Sequence, residues 1–137
     1  MKRNDFQTLA VLRLKEAKIL LRAGCPDGAY YLAGYAAECA LKACIAKQTE
    51  RFEFPDLQRT KDSWTHALNQ LVSPAGLTKE REAMEWQQPE FFKNWKIVRE
   101  WNEQSRYQRR SLPDAEALLR ALEDRKYGVL KWLKRHW

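Results

Sequence analysis

The chain has 137 residues, 45% of them hydrophobic and 31% charged, with a net charge of +7. That length and composition predict a single domain over 1–137, with one apolar core under a charged cover. The longest apolar run, Ala29 to Ala37, falls far short of the ~20 residues a bilayer span needs, and the charged opening MKRNDFQTLAVLRLKEAK lacks the pattern of a secretory signal, so a cytoplasmic setting without membrane contact is expected.

Helical periodicity dominates, with no sustained two-residue alternation. A first helix is predicted from about Asp5 to Arg22, capped by Asn4 and stopped by Gly24. Its Ala10, Leu14, Ala17 and Leu21 form one apolar face opposite Arg13, Lys15, Glu16 and Arg22. After Pro26 and Asp27, a second helix runs from about Gly28 to Lys47. It is apolar nearly all round, which marks a central, buried helix, and its small residues, Gly34 among them, let neighbours approach closely. Residues 49–62 read as a polar loop with Pro55. A short helix over about Trp64–Val72 is ended by Ser73-Pro74-Ala75-Gly76, and a fourth covers about Lys79–Gln87 behind Thr78. Pro89 sits at a first helical position, so 89–102 is predicted as a separate or kinked helix whose Phe91, Phe92, Trp95, Val98 and Trp101 share a face. The polar stretch NEQSRYQRRS leads to Pro113, the first turn of another helix that Gly128 interrupts near its end. In the closing GVLKWLKRHW, Val129, Trp132, Leu133 and Trp137 lie opposite Lys131, Lys134 and Arg135, a stripe expected to pack on its own bundle. Short connections between amphipathic helices predict an all-α fold: an antiparallel four- to five-helix up-and-down bundle with a short C-terminal helix.

The three cysteines, Cys25, Cys39 and Cys44, have no metal-ligand spacing, and neither histidine is near one in sequence. They are expected to be reduced, with two acting as small buried hydrophobes, and no metal or cofactor is predicted. The charge is uneven: residues 1–92 carry 13 Lys/Arg against 12 Asp/Glu, whereas residues 93–137 carry 12 against 6 and four of the six tryptophans. Basic residues interleaved with aromatics suit nucleotides or RNA; the same pattern also arises when amphipathic helices turn Lys and Arg outward and Trp inward.

Within the apolar GAYYLAGYAAECALKAC of the second helix stand one acid and one base, Glu38 and Lys42. The i, i+4 spacing with the acid first puts both on one side in the favoured order, and burial would require each charge to be compensated. A pair on a solvent strip, a pair across an interface and a polar site inside the bundle all satisfy that spacing.

AYYLAGYAAECALKA, followed by THALNQL and later by WNEQSRYQ, resembles the HEPN domain (the higher-eukaryote and prokaryote nucleotide-binding helical bundle). The opening EAKILLRAG and the closing GVLKWLKRHW extend the resemblance over essentially the whole chain. It implies an antiparallel helical bundle, a homodimer, and one of two occupations: metal-independent RNase in defence and toxin–antitoxin systems, or partner of a small nucleotidyltransferase. Catalytic members carry Arg-x4-6-His near the dimer axis. This chain has one literal match, Arg59 with six residues before His66, and Thr60 replaces the usual Asn, Asp or His. The region where the catalytic helix is expected holds Arg99 and Arg106 with no following histidine in range, and His136 has Arg135 directly before it and Arg125 eleven residues back.

A metal-free RNase must deprotonate a ribose 2′-OH, protonate the leaving oxygen and stabilise a phosphorane. Histidine suits the proton transfers and arginine the charge. The catalytic candidates are therefore His66 and Arg106, with Tyr107 to stack or hydrogen-bond. Alternatively, His66 is a helix-start histidine bonded to backbone, and the Arg106-Tyr107 pair, placed like that of non-catalytic relatives, bonds within the chain, with Glu38 as a partner. The candidate nucleotide- or RNA-binding residues are Glu38, Lys42, Arg59, Arg99, Tyr107, Arg109 and Arg110. The departure from the standard motif favours a dimeric nucleotide- or RNA-binding module working with a nucleotidyltransferase or other defence partner over an active RNase toxin. A structural bundle whose basic face binds nothing is the third reading.

Overall fold

A computed structural model describes residues 1–50 and 57–137, and these form an all-α bundle. Helix α1 spans Arg3–Arg22 and α2 spans Pro26–Glu50, packed along each other through the buried Ala10, Leu14 and Ala17 of α1. Helix α1 starts earlier than the sequence suggests, because the Asp5 carboxylate accepts the Lys2 backbone N–H at 2.7 Å and completes the first turn there. The turn to α2 is short because Gly24 adopts φ +79°, a left-handed conformation that a β-carbon would strain.

Helix α2 is the central element, with thirteen buried residues including Glu38. It extends beyond the expected 28–47 at both ends. Pro26 supplies a pre-set first turn with no N–H to satisfy, and near the other end the Thr49 hydroxyl donates to Ile45 O at 3.1 Å. The expected loop over 49–62 is therefore corrected at both sides: α2 continues to Glu50, and α3 covers Leu57–Asp62, while Pro55 lies outside the described residues.

The helix expected over Trp64–Val72 contracts to α4, Leu68–Leu71, whose two leucines are buried. The Thr65 hydroxyl accepts the Ala67 N–H at 3.1 Å and donates to Gln70 Oε1 at 3.0 Å. That local turn competes with helical hydrogen bonding and delays the helix start. Helix α5 is Thr78–Gln87 and α6 is Pro89–Arg99, separate helices that meet at an extended Gln88.

A 3-10 helix over Glu103–Tyr107 precedes α7, Leu112–Glu123, which Ser111 caps by accepting the Asp114 N–H at 3.2 Å. The last of these helices, α8, is Val129–Lys134. Gly128 does not interrupt a helix; it is the N-cap of α8, where a β-carbon would lie 2.6 Å from the Asp124 and Leu122 carbonyl oxygens. Val129, Trp132 and Leu133 are buried in the bundle as the closing stripe predicts, and Phe91, Trp95, Val98 and Trp101 fill the core from the α6 side. At the far corner Arg3 Nη2 donates to Trp137 O at 2.8 Å, joining the first turn of α1 to the last residue. Among the described residues, no helix is long and apolar enough to cross a membrane.

Candidate functional site

Asp27, Tyr31, Gly34, Tyr35, Glu38 and Lys42 follow one another along α2 at helical spacing, so they share one face. Two segments lie against that face. The 101–110 segment meets its N-terminal half, and the loop before α4 reaches Glu38 in its second half.

Glu38 is only 2% exposed. Its Oε1 accepts from Lys42 Nζ at 2.8 Å and from His66 Nδ1 at 2.8 Å. An ionised carboxylate only accepts, so it holds a proton on His66 Nδ1; Nε2 is then an acceptor in the neutral ring and a donor in the imidazolium, on a side chain that is 46% exposed. Glu38 and Lys42 thus pair with each other on the bundle, and a distant loop brings His66 as a second hydrogen-bond partner. Both contacts fall on Oε1; Oε2 is buried and has no hydrogen-bond partner among the described residues.

Two groups beside Glu38 are shifted by their own burial and by its charge. The Cys39 thiol is pushed up to about 11, first by desolvation and then by the Glu38 charge, with Lys42 and Arg13 opposing. Burial likewise raises the Tyr35 hydroxyl, helped by Cys39 and Glu38. Both groups therefore remain neutral near pH 7, and neither is an available nucleophile there.

Further along the face, the Trp101 indole lies directly over Gly34. Its ring stacks at 6.0 Å on Tyr31, which stacks at 6.1 Å on Tyr35. Asp27 then anchors the basic stretch after the 3-10 helix: its carboxylate accepts Arg109 Nε at 2.8 Å and the Arg110 backbone N–H. The Arg110 guanidinium lies 4.2 Å from the Tyr30 ring centre, a cation–π contact.

Of the residues singled out in the sequence, the fold brings Glu38, Lys42 and His66 together. His66 is not bonded to backbone but to a buried carboxylate. Arg106 is exposed, with its guanidinium 5.1 Å from the Tyr107 ring centre, and Tyr107 is itself exposed; among the described residues the cross-element partner of Glu38 is His66 and not an arginine. Arg99 ends α6 on the surface, Arg109 and Arg110 gather at Asp27, and Arg59 belongs to α3 with its side chain outside the described residues. Sequence reasoning missed Asp27 as an anchor. Its acid character beside a helix start was visible, but its partners lie more than eighty residues away.

The HEPN domain family model matches residues 8–136. No curated protein and no solved structure matches the chain.

Proposed function

Because the chain belongs to the HEPN domain family, we propose that it is a nucleotide- or RNA-binding helical module that works as a homodimer with a protein partner, such as a nucleotidyltransferase, in a toxin–antitoxin or defence setting. The observation that carries this reading is the Glu38–Lys42–His66 cluster. A buried carboxylate fixes two nitrogen groups at the surface of the helix that also carries the tyrosines and anchors Arg109 and Arg110. In this reading Lys42, and His66 in its imidazolium form, offer donors to a phosphate, while Arg99, Arg106, Arg109 and Arg110 add the long-range attraction that draws a polyanion in.

A second reading, metal-independent RNase, is favoured by one contact, His66 Nδ1 on Glu38. A carboxylate that holds one imidazole nitrogen orients the other as a general base, the role a 2′-OH requires. Against it, among the described residues the side chains hydrogen-bonded to Glu38 are Lys42 and His66, and Arg106 lies on Tyr107.

The two readings separate in one experiment. Wild type and His66→Ala are incubated with total RNA and tRNA in EDTA, and binding of the same RNAs is measured in parallel. Binding without cleavage supports the module. Cleavage lost in His66→Ala establishes the nuclease, and neither binding nor cleavage by folded protein rejects both.

A further inference from the structure

The loop that delivers His66 to Glu38 also carries Trp64, two residues earlier and 73% exposed. Leaving an indole in water forgoes the stabilisation that burying an aromatic side chain provides; Trp95, Trp101 and Trp132 of the same chain are buried, and of the two strongly exposed indoles, Trp64 and Trp86 (89%), Trp64 is the one two residues from His66. The loop around Trp64 is held at several points. Its backbone N–H donates to Lys61 O at 3.1 Å, closing the turn after α3. Thr65 bonds Ala67 and Gln70 on the other side, and His66 is tied to Glu38. The backbone that carries the indole is therefore held, and lies within ~7 Å of that of His66, since two residues of chain span no more.

We propose that Trp64 is a stacking platform for an unpaired base of single-stranded RNA whose adjoining phosphate lies at Lys42 and His66. This rests on the RNA-binding reading above. The chemistry is that of a single-strand site: cationic donors meet the backbone, and an exposed aromatic face accepts a base of any identity. A base held in a duplex stack cannot present its face to the indole, so the platform selects single strands.

The test measures binding of a short mixed-sequence RNA, alone and annealed to its complement, to wild type, Trp64→Phe, Trp64→Ala and His66→Ala. Loss of one base stack weakens single-strand binding by ~5- to ~150-fold in Trp64→Ala. Trp64→Phe should retain most of the affinity, and duplex binding should be unchanged by either substitution. Because Trp64 is on the surface, Trp64→Ala should keep the wild-type circular dichroism and melting temperature. Unchanged single-strand binding by Trp64→Ala, with His66→Ala weakened, overturns the platform and leaves the RNA-binding reading standing. Equal losses for single strand and duplex, or a Trp64→Phe variant no better than Trp64→Ala, also overturn it. No binding of either RNA by wild type removes both ideas.

Discussion

Trp101 covers Gly34 so closely that a β-carbon at position 34 would lie 2.1 Å from the ring carbons Cδ1 and Cγ. The glycine is needed for this approach and not for its backbone, which is ordinary helix. Trp101 is 1% exposed and stacked on Tyr31, so the ring cannot swing aside freely. Gly34→Ala should therefore destabilise the protein by ~1–3 kcal/mol through overpacking. Denaturant unfolding measures the loss, and hydrogen exchange should localise the disturbance to 101–107 beside α2. Wild-type stability with a wild-type exchange pattern would mean that the indole has room the structure does not show.

Replacing the Glu38 carboxylate by an amide removes the charge that both Lys42 and His66 meet. Charge-assisted bonds of this kind contribute ~1.5–3 kcal/mol, but His66 and Lys42 reach solvent and recover part of that by rehydration. Glu38→Gln is expected to cost ~1–2 kcal/mol in urea unfolding. It should also release His66 from a single tautomer, which nitrogen NMR of the imidazole reads directly. An unaltered Nδ1–H population in Glu38→Gln would refute the orienting role.

The two buried thiols set an alkaline limit on stability. Burial raises Cys39 to about 11 and Cys44 to about 12, against 9.0 for the ordinary group. A folded-state value above the unfolded one means that the favourable contribution is complete below pH ~9 and drains away as pH climbs through the folded values. Stability should accordingly fall from about pH 9 up through the folded values, by on the order of 1 kcal/mol per thiol for each pH unit. At pH 8 a thiol reagent should modify the exposed Cys25 quickly in the native protein and reach Cys39 and Cys44 only after unfolding. Rapid modification of all three without denaturant would contradict the burial.

Asp27→Ala tests the anchor at the start of α2. The Arg109 side chain is 96% exposed, so its ion pair adds little to stability, whereas the Arg110 backbone N–H loses a part-buried acceptor. The expected result is a global change within ~1 kcal/mol together with faster hydrogen exchange at 108–111. Salt dependence of RNA binding should stay as steep as in wild type, because the arginines keep their charge.

Much of this arrangement is legible in the residues themselves. The face of Ala10, Leu14 and Ala17, the all-round apolarity of α2, Pro89 opening a new helix and the packed C-terminal stripe all follow from local periodicity and backbone chemistry. Gly34 was readable as permitting close approach, although what approaches was not. The Glu38–His66 contact joins positions 28 apart through a loop whose path depends on the Thr65 turn, and periodicity carries no information about such a path. The same hydroxyl explains why α4 is shorter than its leucines suggest. Arg106 failed to meet Glu38 for a related reason: the 3-10 helix turns it onto its neighbour Tyr107, a local preference that residue spacing across helices does not reveal.

The hydrogen bond from Arg3 to the Trp137 carbonyl puts the start of α1 and the end of α8 at one corner of the bundle. Ends that meet can be bridged by a few flexible residues without reaching across the molecule. The polypeptide could then be reopened at an exposed turn such as 124–126 while keeping its packing. The same closeness suits splicing the whole bundle into a surface loop of another protein, since host chain would enter and leave at nearly the same point.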